Sequence, residues 1–315
     1  MKYPSPQTLL DWIRWAERHL KRAKLYYGHG TETALDEAAW LVGHVAGRAP
    51  DDLEAHLADV PTAAELEKIR ALVEARITTR KPLAYLLNEA WFAGLKFYVD
   101  ARALVPRSIT GEYIRERFVP WIAPENVRRA LDLCTGSGCI AVALAHAFPQ
   151  ARVDATDISD YALAVARINV EQHGLRERVK LIKSDLFERL ADVRYDLIVT
   201  NPPYVSRKDM AALPEEYRHE PALALAAGKH GLDIIVKILA CAADYLTPGG
   251  ILVAEVGNSH AALAAAFPDV PFLWLTSATG DESVFLLTAT QLAQHRAQFA
   301  CALPFPRESS DLFSF

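Results

Sequence analysis

The fold is decided by the stretch LDLCTGSGCIAVALAHA, residues 131–147. Apolar residues lead into Gly136-x-Gly138 and then into an alanine-rich run with high helix propensity. This order is typical of the strand, tight turn and helix of a nucleotide-binding βαβ unit. Since glycine lets a ligand approach the backbone closely, the pattern predicts a strand at 128–133 that ends in a ligand-binding loop.

The next predicted strand, residues 151–156, leads directly into Asp157, about twenty residues beyond Gly136. An acidic side chain at this spacing binds ribose hydroxyls, so a dinucleotide-dependent dehydrogenase is one interpretation. Asp132 argues against it, because a carboxylate before the glycine turn would repel a pyrophosphate. The same carboxylate suits S-adenosylmethionine, which carries a sulfonium and an ammonium, so methyl transfer is favoured over hydride transfer. A solvated strand-end carboxylate is the alternative interpretation of Asp132.

A third signal is Asn201-Pro202-Pro203-Tyr204, which directly follows the apolar run LIVT at 197–200. Two prolines cannot donate to a sheet ladder, so the strand must end there in a fixed, extended path. The Asn201 side chain and the Pro202 carbonyl offer acceptors that match an NH2 group on an amide or an aminopurine, and Tyr204 offers a flat stacking face. An isolated Pro-Pro would indicate only a turn. Together with the glycine loop, residues 201–204 predict the catalytic site for methylation of a planar nitrogen.

Periodicity predicts two kinds of architecture along the chain. Helical spacing of apolar residues near 5–24, 32–47, 51–59 and 62–79 indicates a small helical domain, and 91–99 indicates a hairpin. From 109 onward helices and strands alternate, with a helix at 110–121, and the chain closes with a strand pair at 272–277 and 283–288. The expected domains are a helical substrate-recognition domain at 1–80, a hairpin linker at 81–108, a methyltransferase domain at 109–303 and a flexible tail at 304–315.

Composition limits the partners and the compartment. The 315 residues carry a net charge of -5, and no segment is basic enough to follow a phosphate backbone, so no sequence-specific nucleic-acid partner is expected. The acidic C-terminal third suits a basic protein partner. The four cysteines lack paired metal spacing, and no apolar run approaches the ~20 residues that a bilayer span requires. We therefore expect reduced thiols, no metal, no membrane association and a cytoplasmic location.

With these motifs, the chain resembles the glutamine methyltransferase family, which modifies ribosomal proteins and peptide release factors. Four segments resemble the branch that acts on a large-subunit ribosomal protein, protein L-three: YGHGT at 27–31, FYVD at 97–100, LVPRS at 104–108 and EYRHEP at 216–221. The release-factor branch usually reads Pro-Arg-Pro-Glu-Thr-Glu where this chain has PRSITG at 106–111. That departure argues against release factors as the main substrate.

The resemblance implies a class I S-adenosylmethionine methyltransferase fold of the α/β class: a Rossmann-like, mostly parallel seven-stranded sheet with an antiparallel last strand, preceded by a helical domain. It implies methylation of a glutamine side-chain amide nitrogen in protein L-three. The alternatives are a release-factor glutamine methyltransferase and, less favoured, a nucleic-acid adenine amino-methyltransferase. A cofactor-binding module without catalysis is disfavoured, since it would not need residues 201–204 intact.

The resemblance also implies a set of site residues. Those expected to bind the cofactor are Asp132, Cys134, Thr135, Gly136, Ser137, Gly138, Asp157, Ile158, Asp185, Leu186 and Asn201. Those expected to be catalytic are Asn201, Pro202, Pro203 and Tyr204. The family more often has glycine at position 134 and an aromatic residue at position 186, and Asp185 could instead cap a helix. The candidate substrate contacts are Arg107, Arg218 and His219.

Overall fold

The computed structural model describes residues 7–190 and 192–303, so the tail expected at 304–315 lies outside the described residues. The described chain forms two compact units. The first holds the residues up to Trp91 together with Lys96–Arg107 and Pro214–Pro221, and the second holds Phe92–Leu95, Ser108–Leu213 and the residues from Ala222 onward. The first unit therefore includes a short segment that lies far along the sequence.

Four helices build the first unit: α1 (Leu9–Arg22), α2 (Ala34–Val45), α3 (Ala63–Thr79) and α4 (Leu83–Leu87). The first three begin with capping boxes, in which a threonine hydroxyl accepts the N–H of an acidic residue three positions later. Their apolar faces meet in one core around Trp12, Leu41 and Ile69. The helix predicted at 51–59 is a 3-10 helix, Pro50–His56, because proline and two aspartates at its start favour a short tight turn.

Arginine–carboxylate pairs hold the distant segment Pro214–Pro221 within the first unit. Arg80 Nη2 lies 2.6 Å from Glu216 Oε1, and Arg107 Nη1 lies 2.6 Å from Glu220 Oε1. Both glutamates are buried. No apolar periodicity marks this segment in the sequence, because it is held by buried ion pairs and by ring contacts of Tyr217 with Tyr26 and His29.

The hairpin predicted at 91–99 is present as β1 (Ala90–Phe92) and β2 (Leu95–Phe97). Ala93 and Gly94 both have positive φ, 51° and 79°, which is the backbone geometry of a tight primed turn.

The second unit is built on a seven-stranded sheet. Its strands are β3 (Arg129–Leu133), β4 (Arg152–Asp157), β5 (Val179–Lys183), β6 (Tyr195–Thr200), β7 (Leu246–Glu255), β8 (Leu273–Leu275) and β9 (Val284–Thr288). The spatial order is β5-β4-β3-β6-β7-β9-β8. Neighbours from β5 to β7 are parallel, while β9 is antiparallel to both β7 and β8. The predicted fold class is confirmed.

Helices accompany the sheet: α5 (Thr110–Arg115), α6 (Cys139–Ala147), α7 (Asp160–Gln172), α8 (Arg207–Ala212), α9 (Asp233–Tyr245), α10 (His260–Ala266) and α11 (Ala289–Cys301). Helices α6 and α7 contact β4 and β5, whereas α9 and α11 contact each other and β7. Helices therefore pack against β4, β5 and β7, and β3 and β6 lie between β4 and β7 in the strand order.

One helix prediction needs correction, and one helix was not predicted. The helix predicted at 110–121 ends at Arg115, because Arg117 and Phe118 adopt positive φ and the turn buries the Phe118 ring completely. Helix α11 was not predicted, although a Thr288–Gln291 capping box marks its start. Its buried residues Leu292 and Phe299 belong to the core formed with α9, so tertiary packing stabilises it.

Candidate active site

The register of the parallel strands brings several chain segments to one edge of the sheet. Leu133 pairs with Thr156 on β4 and with Thr200 on β6, and Thr200 pairs with Ala254 on β7. The Thr200 hydroxyl also donates to the Leu133 carbonyl at 2.8 Å. The residues that follow these positions are Cys134, Asp157, Asn201 and Glu255. The glycine loop, the acidic residue and the Asn-Pro-Pro-Tyr segment thus leave the sheet together at the carboxyl ends of its strands.

The glycine loop leaves open space where a ligand can approach the backbone. Gly136 has φ 56°, and a Cβ built there would meet no atom within 4 Å. The Gly136 N–H donates to Asp157 Oδ2 at 2.9 Å. Gly138 serves packing instead, because a Cβ there would lie 3.0 Å from Ala166 Cβ on α7. The loop is therefore open at Gly136 and closed against a helix at Gly138.

Asp132 lies beneath this loop and is fully buried. Its Oδ2 accepts hydrogen bonds from the Thr135 hydroxyl at 2.5 Å and from the Ala141 N–H at 2.9 Å. Its Oδ1 has no hydrogen-bond partner among the residues that the structure describes. Burial raises the pKa of Asp132 to about 7, against the opposing effect of those hydrogen bonds. A buried carboxylate with a free oxygen attracts a cationic ligand, which its field would stabilise.

Asp157 closes the other side of the loop. Besides the bond from Gly136, its Oδ1 accepts the Ser159 N–H at 2.8 Å. Burial raises the pKa of this carboxyl, and backbone N–H donors oppose the rise. No charge of a described arginine or lysine lowers the pKa of either carboxyl group. These carboxylates therefore form a negative pocket that lacks a countercharge from the described chain.

The Cys134 thiol lies in the same negative environment. Burial raises its pKa well above the usual range, and the charges of Asp157, Asp132 and Asp185 raise it further. Asp185 follows Ser184, whose N–H donates to the Asp157 carbonyl at 3.0 Å, and a cofactor contact by Asp185 stays a prediction. Leu186 follows with φ 47° and is partly buried, while Ile158 is 49% exposed.

The segment after β6 is held in place through Tyr204. The Ser259 hydroxyl donates to the Tyr204 carbonyl at 2.8 Å. A Cβ at Gly231 would lie 2.3 Å from that carbonyl oxygen, and one at Gly257 would lie 2.4 Å from Cε2 of the Tyr204 ring. Both positions therefore require glycine, and Pro202 is buried. The path of the Asn-Pro-Pro-Tyr segment is fixed by close contacts as well as by its prolines.

Sequence reasoning missed several residues that shape this site. Gly231, Gly257 and Ser259 support Tyr204, and Asn169 on α7 donates to the Ser137 carbonyl at 2.8 Å. Glu255 is 6% exposed and accepts a 2.5 Å hydrogen bond from the Ser108 hydroxyl. Only Glu255 carried a usable signal, since it ends the apolar run ILVA at 251–254 at a strand end. The others act through long-range contacts that no local pattern marks.

The three candidate substrate contacts belong to the first unit, whereas Asn201 belongs to the second. The Arg107 guanidinium forms a bidentate ion pair with Glu220. Its Nη1 lies 2.6 Å from Oε1 and its Nη2 lies 2.8 Å from Oε2. His219 Nε2 lies 3.0 Å from the Thr79 carbonyl oxygen, and Arg218 is exposed. Arg107 and His219 thus contact their own unit, and substrate contact by any of the three stays a prediction.

Across residues 7–190 and 192–303, no group of three or more histidine, cysteine, aspartate or glutamate side chains has the arrangement of a metal site. In the same ranges, no helix combines the length and apolar character needed to cross a membrane.

Family comparisons agree with the class of protein that this fold and site define, a methyltransferase. Residues 116–216 match the model of the Methyltransferase small domain, and residues 11–87 match that of the PrmC N-terminal domain.

The chain is also similar to two curated bacterial proteins, each named ribosomal protein uL3 glutamine methyltransferase. It is 47% identical to the one from Bordetella pertussis over 287 residues, which cover 91% of this chain and 96% of the relative. It is 48% identical to the one from Neisseria gonorrhoeae over 286 residues, covering 90% and 95%. The chain belongs to the ribosomal protein uL3 glutamine methyltransferase family.

Proposed function

We propose that this enzyme methylates the side-chain amide nitrogen of a glutamine in ribosomal protein uL3, with S-adenosylmethionine as the methyl donor. The observation that carries the proposal is the position of Asn201-Pro202-Pro203-Tyr204, one strand away from the Gly136 loop at the same sheet edge. The relatives that cover nearly the whole chain support the choice of substrate.

The residues of the pocket fit this cofactor. Each Asp157 oxygen accepts one backbone N–H, so lone pairs remain for two ribose hydroxyls. The Asp132 carboxylate, with its free Oδ1, supplies negative field for the ammonium and sulfonium charges. Open space at Gly136 admits the ligand to the backbone. When bound, S-adenosylmethionine supplies an electrophilic methyl group.

Asn201 and Pro202 orient the substrate amide in this proposal. A glutamine amide is a poor nucleophile because its lone pair is delocalised into the carbonyl. The Asn201 side-chain oxygen and the Pro202 carbonyl each accept one N–H, which fixes the nitrogen and increases its electron density. Such positioning contributes roughly 7 to 11 kcal/mol when the reacting atoms are held near contact. Tyr204 stacks on the amide plane and excludes water, and the proton leaves after methylation.

The test uses the full-length chain, labelled methyl donor and uL3 purified from cells that lack this activity. We expect one labelled glutamine by mass spectrometry. In Asn201→Ala, turnover should fall about 10² to 10³-fold, the scale of a lost preorganised polar contact, while cofactor affinity changes little. In Asn201→Asp the side chain keeps its shape and an acceptor oxygen, so turnover should fall less than in Asn201→Ala if its role is to accept the substrate N–H. Equal loss of turnover and cofactor affinity in Asn201→Ala would contradict the assigned roles.

Parallel reactions decide between the alternative substrates. A release factor and unmodified DNA are offered at the same concentrations as uL3. If the release factor or the DNA is labelled faster than uL3, that molecule and not uL3 is the substrate. In the proposed function the enzyme acts in the cytoplasm, where ribosomal proteins are made, and it makes no sequence-specific contact with nucleic acid.

We assign recognition of the protein substrate to the first unit. Arg218 is exposed on it and forms no described hydrogen bond or ion pair, so its replacement should not disturb folding. Arg218→Ala should raise KM for uL3 with kcat unchanged, and Arg22→Ala on α1, also exposed, is the control. An unchanged KM would remove Arg218 from the substrate contacts.

A further inference from the structure

One face of the sheet is uncovered at strands β4 and β5. Val153 and Ala155 on β4 are buried on the side that carries α6 and α7. The alternating residues Arg152 and Lys180 point to the other side and are exposed. The chain from β5 to β6 forms no helix over 184–190 or 192–194. The result is a concavity of about 630 Å³ on this face.

The concavity is strongly basic, although the whole chain carries a net charge of -5. Seven basic and two acidic side chains line it. Three of the basic groups are engaged: Arg176 pairs with Glu171, Lys183 pairs with Asp160, and Arg178 donates to backbone carbonyls of 145, 148 and 149. The other four are Arg129, Arg152, Lys180 and Arg189.

These four cations are exposed, and their side chains form no hydrogen bond or ion pair with the described chain. Of the two acidic groups, Asp154 accepts a hydrogen bond from the Tyr195 hydroxyl at 2.8 Å, and Glu177 is exposed. These four cations outnumber the two carboxylates, so the concavity keeps an excess of two positive charges, for which the described residues supply no partner.

The sheet arranges the cations as a row. Arg129 on β3 is the register partner of Arg152 on β4. Asp154 lies two residues after Arg152 on the same face of β4, and its register partner on β5 is Lys180. Adjacent strands are about 4.8 Å apart, so the row crosses three strands at closely spaced intervals. Fixed cations spaced along a groove bind the repeated phosphates of a nucleic-acid strand.

We infer that this face binds the phosphate backbone of RNA, without reading its sequence. The concave shape and the row of unpaired cations carry the inference of a polyanion. The choice of RNA rests on the proposed function, since a ribosomal protein enters the ribosome by binding RNA. The face lies away from the methylation site: Arg129 and Arg152 begin their strands, and the site lies at the strand ends, about 15 Å further at ~3.3 Å per residue. RNA bound here docks the substrate complex and leaves the catalytic residues untouched.

The test measures RNA binding by the full-length chain through fluorescence anisotropy, with a labelled single-stranded RNA and a salt titration. The variant combines Arg152→Gln with Lys180→Gln. Its matched control combines Arg167→Gln with Lys237→Gln, exposed positions on α7 and α9 that lose the same charge. We expect the first pair to weaken binding about tenfold and to reduce the salt slope by about 1.4, at ~0.7 for each phosphate contact. The control should bind like the unmodified chain.

Equal weakening in both double variants would overturn the inference, because it would indicate diffuse charge. Absence of RNA binding, or stronger binding to an acidic peptide or to phosphatidylserine vesicles, would overturn it as well. Methylation of free uL3 is measured on the same samples and should be unchanged. Since that assay contains no RNA, failure of methylation counts against the proposed function alone. Absence of RNA binding by the unmodified chain, with methylation intact, counts against the RNA face alone.

Discussion

Both units bury carboxylates, but in opposite electrostatic surroundings. Burial would raise the pKa of Glu220 in the first unit, yet the charge of Arg107 and the nearby His29, whose Nε2 lies 3.3 Å from Glu220 Oε2, lower it to about 2. In the second unit, burial raises the pKa of Asp132 to about 7, and among the described residues only hydrogen bonds from Thr135 and Ala141 oppose the rise. One unit thus compensates its buried charge internally, and the other leaves it uncompensated.

This difference separates structural from functional charge. A buried ion pair fixes two chain segments, and here Arg107 and Glu220 hold a segment that is distant in sequence. An unpaired buried carboxylate costs stability unless a ligand supplies the cation. The second unit places such carboxylates beside the glycine loop, where a cationic cofactor is expected.

The largest effect is expected from breaking the buried pair. Glu220→Gln leaves the Arg107 guanidinium without its countercharge and should cost about 3–5 kcal/mol of stability. Urea unfolding followed by tryptophan fluorescence would measure this, because four tryptophans lie in the first unit. The control is Glu215→Gln, which removes an exposed partner of Arg80 and should cost less than about 1 kcal/mol. Similar losses in the two variants would show that Glu220 does not hold the segment.

Lowering the pH should remove the stabilisation that the ionised Glu220 contributes. The folded pKa of Glu220 is lower than its ordinary value of 4.5, so its stabilisation is complete above pH 4.5 and is lost as pH falls toward 2. The difference in unfolding free energy between the unmodified chain and Glu220→Gln should therefore shrink by about 3 kcal/mol across that window. A difference that stays constant with pH would indicate that packing, and not charge, is responsible.

Replacing the uncompensated carboxylate of Asp132 should weaken cofactor binding more than it changes the stability of the fold. Asp132→Asn should weaken S-adenosylmethionine binding about tenfold in calorimetry, because the field on the cationic ligand is lost. The folded pKa of Asp132 is raised, so its contribution to stability falls as pH rises from 3.8 to about 7. Asp132→Asn should therefore become relatively more stable at pH 8 than at pH 5. Unchanged cofactor affinity would assign Asp132 to loop structure alone.

The smallest effect concerns the Cys134 thiol, whose ionisation is suppressed by burial and by the neighbouring carboxylates. Iodoacetamide should label exposed Cys301 before Cys134, as mass spectrometry of timed samples would show. Asp157→Asn should increase labelling of Cys134 a few-fold, since it removes one of the negative charges. If Cys134 reacts as fast as Cys301, the negative pocket is weaker than its geometry indicates.

Much of the second unit was predictable because its signals are local. The Gly136 loop, Asp157 and Asn201 each follow an apolar strand, and parallel strands place their carboxyl ends at one edge. The helix at 110–121 was overextended because Phe118 is buried through a positive-φ turn, which sequence periodicity does not register. Helix α11 was missed because its stability comes from packing against α9.

The sequence by itself determined the strand ends, the glycine turn and the rigid Asn-Pro-Pro-Tyr path, because each depends on the backbone preferences of neighbouring residues. Only the tertiary structure decided that Gly231 and Gly257 clamp Tyr204, that Glu220 meets Arg107, and that cations of three strands form one row. Those contacts join residues that are far apart in the chain. They depend on burial and on the balance of charges, which local sequence patterns do not encode.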